Sequence, residues 1–295
     1  MHDYLLSLLL GIIEGLTEFL PVSSTAHLRI AEALLGIDLS NGFWKMYSIV
    51  IQLGAILCLP IYFRARIAKL LGTFPKGERG DRTPLTHPLS LVLIAFVFTA
   101  GPAFLLTKVI GKHLESLVIM GSSLLVGGIV MWIVDARFGT PPPSGHYKTE
   151  HLEETTLPQA IWIGICQIAS AVFPGTSRSM STIAAGQIAG MSRAAALEFS
   201  FFLSIPTMVV ATCYDLLRTL RPKHASSGAA LGAMPSDAHQ WIVLIIGFVV
   251  SFFVAWGVVA WFMNWVRSRG FVLFAIYRII VGVAVLAWVM LGHSR

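Results

Sequence analysis

Two apolar stretches of this chain are each broken by a proline and then a cluster of hydroxyls, and the two breaks match one another. The first reads Gly11-Ile-Ile-Glu14-Gly-Leu-Thr-Glu18-Phe-Leu-Pro21-Val-Ser23-Ser24-Thr25-Ala-His27. The second reads Gly164-Ile-Cys-Gln167-Ile-Ala-Ser-Ala171-Val-Phe-Pro174-Gly-Thr176-Ser177-Arg178-Ser179. A shift of 153 positions sets Gly11 on Gly164, Glu14 on Gln167, Pro21 on Pro174, Ser23 on Thr176 and Ser24 on Ser177. An apolar helix that stops at such a break is too short to cross a bilayer. Non-helical backbone at membrane depth is tolerated only where protein buries it or it lines a wet cavity. Charge placed there is expensive, which makes Glu14, Glu18, His27 and Arg178 functional candidates.

The rest of the composition sets the solvent. Of 295 residues 56% are hydrophobic and 12% charged, against about 25% charged in soluble domains. Long apolar runs recur throughout, so the chain reads as an all-α integral membrane protein. The net charge of +6 then reports loop orientation rather than nucleic-acid binding. Cys58, Cys166 and Cys213 lie in apolar runs without CxxC spacing and read as small hydrophobes. Residues 1–10 hold no Lys or Arg, and Glu14 and Glu18 would fall in the apolar region of a signal peptide, so the first stretch is expected to belong to the fold.

Six runs of spanning length are expected at 43–63, 89–110, 115–135, 194–216, 241–263 and 271–292. The broken stretches 4–36 and 157–190 read as re-entrant helical hairpins. The chain thus divides into two units, 1–140 and 157–295, joined by a connecting loop at 141–156, each unit a hairpin plus three spans. An odd number of spans turns the second unit over, so an inverted repeat is expected, with the two breaks meeting near the midplane. Loop 64–88 carries Arg64, Arg66, Lys69, Lys76, Arg79 and Arg82 and is expected in the cytoplasm, which puts the mouth of the first hairpin outside. The 264–270 loop with Arg267 and Arg269 agrees with this orientation; Arg218, Arg221 and Lys223 in 217–240 oppose it.

Glu14 and Glu18, four apart, share a helix face. Paired carboxylates suit a hard divalent ion, Mg²⁺ or Ca²⁺, or acid–base work by one of them. Ser23, Ser24 and Thr25 supply caps for a restarting helix, Ser23 and Thr25 are also candidates to bind phosphate, and His27 lies one turn beyond Ser24, the spacing of a hydroxyl with a base in reach. In the second block Thr176, Ser177, Arg178 and Ser179 open a helix after Pro174-Gly175. Free N–H groups, hydroxyls and a guanidinium together make an anion site, best suited to phosphate. Arg278, inside the last span, is placed to reach the same cavity or an internal carboxylate. Arg193 and Glu198 suit an interfacial role, Gly186 and Gly190 close helix packing, and His87, His113, His146, His151, His224 and His239 read as loop residues without ligand spacing.

The run from Glu14 to His27 resembles the glutamate-rich motif of the bacterial undecaprenyl-diphosphatases, the bacitracin-resistance membrane phosphatases, and Pro174-Gly-Thr-Ser-Arg178-Ser resembles their second motif. Ile51-Gln52-Leu53-Gly54-Ala55-Ile56, Gly190 to Ser200 and Tyr277-Arg278-Ile extend the likeness over essentially the whole chain. The resemblance implies hydrolysis of undecaprenyl diphosphate to the monophosphate carrier of cell-wall synthesis, at an outward-facing site in the bacterial inner membrane that needs a divalent cation. It implies metal or acid–base roles for Glu14 and Glu18, attack by Ser24 or His27, and phosphate binding by Arg178. Ala26, where the family usually has Gly, and Met180-Ser181, where it has Gly-Ala or similar, depart from the pattern without removing a candidate catalytic group. Whether Ser24, His27 or water attacks stays open, as does assembly, for example as a homodimer. A flippase of polyprenyl phosphate lipids is the competing expectation, since the architecture suits transporters. A proton-coupled antiporter would leave Arg178 and the hydroxyls unexplained.

Overall fold

The computed structural model describes residues 2–38, 41–106, 116–141, 145–220 and 232–293. Within them the chain is helical, and the β structure amounts to one isolated bridge between Thr149 and Met191. The first broken stretch forms α1 (His2–Thr17) and α2 (Ser24–Leu34). It is followed by α3 (Gly42–Tyr62), α4 (Arg64–Thr73), α5 (Pro88–Leu105) and α6 (Leu117–Phe138). A 3-10 turn at Leu152–Glu154 leads into the second stretch, α7 (Leu157–Val172) and α8 (Arg178–Ile188). Then come α9 (Arg193–Leu220), α10 (Ala238–Arg269) and α11 (Val272–Trp288), which runs on into a π turn at Val289–His293.

Among the described residues six helices, α3, α5, α6, α9, α10 and α11, are long and apolar enough to cross a membrane. Even α5, with 18 residues, covers about 27 Å at 1.5 Å per residue, close to the hydrocarbon thickness. Their outer faces are apolar as well: Val97 is 60%, Ile280 63% and Phe253 67% exposed. Water would penalise such a surface and lipid does not. The protein is thus an all-helical, multi-pass membrane protein.

Most boundaries lie within a few residues of those expected. The expected span 241–263 is longer, because the polar residues after it are still helix-compatible and the chain stops only at Gly270, whose φ of 67° favours glycine. The basic segment 64–88 begins with α4, whose Leu70 is buried beneath its charged face. His239 lies in the first turn of α10 rather than in a loop and bonds Tyr4 and Asp3. The expected positions 39–40, 107–115, His113, Arg221, Lys223 and His224 fall outside the described residues.

Each hairpin docks on a helix from the other half of the chain. Helix α1 lies along α10 and α7 along α5. Glycine permits both approaches: a Cβ on Gly11 would stand 2.9 Å from the Gly247 carbonyl, and one on Gly164 would overlap the Ala95 carbonyl. Hydroxyls add to each seam, Ser7 donating to the Val243 carbonyl at 2.6 Å and Thr99 to the Gly164 carbonyl at 2.7 Å. Gly186 packs against Ala196, whereas Gly190, at φ 88°, turns the chain after α8.

The loops gather at two ends. His239 bonds Asp3 at 2.9 Å and Ala233 bonds the Gly42 carbonyl at 2.8 Å, so the starts of α1, α3 and α10 lie together. At the other end Arg66 pairs with Glu153 and Glu198, and Arg82 donates to the Glu153 carbonyl. There too the carboxylate of Asp135, fully buried, takes Arg193 at 2.7 and 3.0 Å, Gln187 at 3.0 Å and the Phe271 amide at 2.9 Å. It ties the ends of α6 and α8 to the starts of α9 and α11. Arg193 is therefore the partner of a buried acid rather than an interfacial charge.

Candidate active site

Both hairpins turn through the same strained device. Helix α1 ends at Thr17, the chain turns through Glu18–Val22, and Ser23 caps α2 with its hydroxyl accepting from the Ala26 amide. Helix α7 ends at Val172, and Ser177 caps α8 by accepting from the Met180 amide at 3.3 Å. Ser23 (φ 75°) and Ser177 (φ 70°) are the two non-glycine residues with positive φ among those described. Such a conformation costs about 1–3 kcal/mol and persists where the surroundings over-determine it, commonly at functional sites. The two caps do not pair in the register read from the sequence. Ser177 corresponds structurally to Ser23, not Ser24, because the second turn holds one more residue between proline and cap.

The two turns meet. Glu18 is shared: one oxygen takes Arg178 at 2.8 Å, the other takes the Ser24 hydroxyl at 2.5 Å. Ser179 donates to the Leu20 carbonyl at 3.0 Å. Phe19, next to Glu18 and fully buried, anchors the turn edge-on against Phe201 of α9, with centroids 5.5 Å apart. Arg278 of α11 is fully buried between the breaks. It donates to the Pro21 carbonyl of the first turn at 3.0 Å, to the Gly175 and Thr176 carbonyls of the second at 3.1 and 3.0 Å, and to Ser123 of α6 at 3.1 Å. Its Nη donors are thus engaged with backbone, and it faces carbonyls rather than an internal carboxylate.

Glu14 lies one turn before Glu18, fully buried, with neither carboxylate oxygen hydrogen-bonded among the described residues. An ionised carboxylate so placed needs a proton, a cation or a further donor. Gln167, its counterpart in the second hairpin, is also buried with its carbonyl oxygen unpartnered, while its amide donates to Thr207 at 3.2 Å.

His27 does not face Ser24. Its Nδ1 is 2.8 Å from the Ser23 carbonyl and its Nε2 2.7 Å from the Tyr277 hydroxyl. Thr25 is exposed, Thr176 is half-buried in the turn, and Ser177 and Ser179 share a hydroxyl contact at 3.1 Å. Ala26 is buried against Met120 and Leu124, so the extra methyl is filled space rather than a loss to the site. Met180 and Ser181 are buried behind the tip, with Ser181 bonded to the Ser177 carbonyl at 3.1 Å.

Sequence reasoning missed three residues near these hairpins. Glu32 of α2 is buried and bonded to Arg29 and Ser48, each at 2.9 Å. An acid five residues past His27 on the same short helix was the available signal. Asp135 was visible as a lone carboxylate at the end of an apolar run. Tyr277 carries no signal in the sequence beyond its place beside Arg278.

Among the described residues no three His, Cys, Asp or Glu side chains lie close enough to enclose a metal. The unpartnered oxygens of Glu14, one helical turn from Glu18, are nonetheless hard oxygen donors. They fit an ion which completes its shell with water and phosphate, as Mg²⁺ does.

Comparison with known proteins agrees with this architecture. Residues 7–284 match the family described as "Bacitracin resistance protein BacA". A protein of Koribacter versatilis (strain Ellin345) named undecaprenyl-diphosphatase is 71% identical over 290 residues, 98% of this chain and 99% of that one. Proteins of the same name from Rhizobium etli (strain CIAT 652) and Caldanaerobacter subterraneus subsp. tengcongensis are 40% and 39% identical, over 98% and 94% of this chain and 98% and 93% of theirs. A match of this extent, over a chain whose two hairpin turns meet at Glu18, Ser24 and Arg178, shows that the protein belongs to the BacA family of bacitracin-resistance proteins.

Proposed function

We propose that this protein is an undecaprenyl-diphosphatase, hydrolysing undecaprenyl diphosphate to undecaprenyl phosphate and inorganic phosphate and so recycling the lipid carrier for cell-wall synthesis. The observation that carries the chemistry is Glu18, held between a hydroxyl and a guanidinium that come from different hairpins. Arg178 has one nitrogen on Glu18, leaving the rest of its fork for the oxygens of the terminal phosphate. Ser24 is the nucleophile in this reading. As its oxygen bonds to the terminal phosphorus, its proton passes to Glu18, and the bridging P–O bond breaks with its electron pair leaving on undecaprenyl phosphate. Water then attacks the phosphoserine as one of its protons passes to a phosphate oxygen, and the Ser24 oxygen recovers the proton held by Glu18 as inorganic phosphate departs. The amides at the starts of α2 and α8 face the same region and favour the anionic group.

Glu14 and Glu18 would hold a Mg²⁺ or Ca²⁺ ion, which when bound supplies positive charge against the phosphate oxygens. The units 1–140 and 157–295 serve as inverted repeats in this reading, with loop 64–88 in the cytoplasm, the first hairpin opening outward, and the site reached from the outer side of the bacterial inner membrane. The scheme is complete within one chain and does not depend on pairing as a homodimer.

The test is phosphate release from a long-chain polyprenyl diphosphate by purified protein, with and without chelator. Release that chelation abolishes supports both the hydrolase and its ion. No release in detergent with divalent cation present, together with transfer of the lipid phosphate between leaflets of proteoliposomes, replaces the hydrolase with a flippase.

A further inference from the structure

We infer that Tyr277 is a positioning residue that holds the His27 ring in one orientation through both of its protonation states, an inference that rests on the hydrolase reading above. The Ser23 carbonyl can only accept, so the His27 nitrogen 2.8 Å from it, Nδ1, carries a proton. In the neutral ring Nε2 is then an acceptor, and the Tyr277 hydroxyl at 2.7 Å donates to it. In the charged ring Nε2–H donates to the same phenol oxygen. A hydroxyl serves both states by rotating its hydrogen, so the imidazole need not move when it gains or loses a proton. The rings also stack, with centroids 5.5 Å apart and planes 13° from parallel. Three contacts therefore fix the ring: a carbonyl on one nitrogen, a hydroxyl on the other and a face.

The phenol is itself held. Tyr277 precedes Arg278, whose guanidinium bonds the carbonyls of both hairpin turns, so the α11 backbone is registered to the site at this point. A carboxylate in place of Tyr277 would bias the ring towards its charged form, and an aliphatic side chain would leave Nε2 unpartnered. The arrangement also separates two tasks. Ser24 is served by Glu18, and His27, with Nδ1 on the Ser23 carbonyl and Nε2 on the Tyr277 hydroxyl, takes no part in that transfer and is left for proton exchange by way of the phenol oxygen.

Tyr277→Phe keeps the stacked ring and removes the hydroxyl. Because Tyr277 is exposed, the variant should fold with an unchanged melting temperature. Its kcat should fall about tenfold, the worth of one lost hydrogen bond at the working group, with KM within about twofold. The pH profile of kcat should move. Placed on His27→Gln, the same substitution should have no further effect, because its whole action runs through the imidazole. Nitrogen NMR of labelled His27 gives a readout independent of turnover: the Nε2 resonance should shift in Tyr277→Phe as its hydroxyl partner is lost, while Nδ1 stays protonated on the Ser23 carbonyl. Equal losses in both backgrounds, or a variant with wild-type kcat, pH profile and Nε2 resonance, overturn the inference while leaving the hydrolase intact. Absence of phosphate release from wild-type protein in the same preparation overturns the hydrolase reading first, and the role assigned to Tyr277 with it.

Discussion

Arg178 at the start of α8 and Glu18 in the turn after α1 are joined at 2.8 Å across 160 residues of sequence. Neither is a surface pair: the Glu18 side chain is 4% and that of Arg178 10% exposed. Desolvation of two charges is offset there only by good geometry and further bonds, and the Ser24 hydroxyl supplies one of them. The pair is therefore poised: Arg178 holds one Glu18 oxygen and keeps the rest of its fork for phosphate, while the other Glu18 oxygen already accepts from Ser24.

Arg178→Lys keeps the charge and loses the planar fork. The ammonium cannot hold Glu18 and two phosphate oxygens together. Turnover should fall about 10²–10³-fold, the usual cost of losing one preorganised donor, with the helical content intact. Circular dichroism and phosphate release on the same sample check it, and near-normal turnover would remove Arg178 from the site.

Glu14→Gln removes the unpartnered carboxylate without changing its volume. If Glu14 holds the ion, activity should drop by about 10²-fold or more and be partly restored by raising Mg²⁺, whereas Ser24→Ala should show no such rescue. Titration of Mg²⁺ against each variant separates them; identical metal dependence in both would assign Glu14 another role.

Arg278→Lys should cost more stability than any other single change at the site. A point charge cannot reach the Pro21, Ser123, Gly175 and Thr176 carbonyls together, and buried carbonyls left without donors cost about 1–3 kcal/mol each. A lower melting temperature and lost activity together are expected, since the two turns lose their common clamp. A variant with wild-type melting would show that the turns hold each other without it.

Asp135→Asn tests the opposite end of the second hairpin. Gln187, which it binds, is nine residues along α8 from Arg178, about 13 Å at 1.5 Å per residue. Asparagine replaces an oxygen with a donor facing donors and leaves Arg193 uncompensated, for a loss of about 2 kcal/mol or more. Protein that remains folded should turn over at the wild-type rate, because no reacting group is touched.

In a background without the native cysteines, Lys76→Cys should label only from the cytoplasmic side, as the basic bias of 64–88 requires. Labelling by an impermeant reagent in intact cells would reverse the orientation and turn the first hairpin inward.

Sequence alone determined the solvent, the long apolar helices and the two breaks, but not α4, which forms within the segment read as loop 64–88. Apolar runs of bilayer length are a one-dimensional property, because in hydrocarbon each helix must satisfy its own backbone bonds. The proline and hydroxyl signals at Pro21–Ser24 and Pro174–Ser177 are equally local. What stood close in sequence was less informative about chemistry. His27, one turn from Ser24, suggested the base, but the strained cap at Ser23 turns Ser24 back towards Glu18 and sends His27 to Tyr277. Arg278 looked like a phosphate ligand, and its Nη donors are spent on carbonyls of turns more than a hundred residues away. Tertiary structure decided these partnerships. Burial leaves a polar group no water to fall back on, so it must bond to whatever the packed helices bring to it, and that is a property of the assembled fold rather than of spacing along the chain.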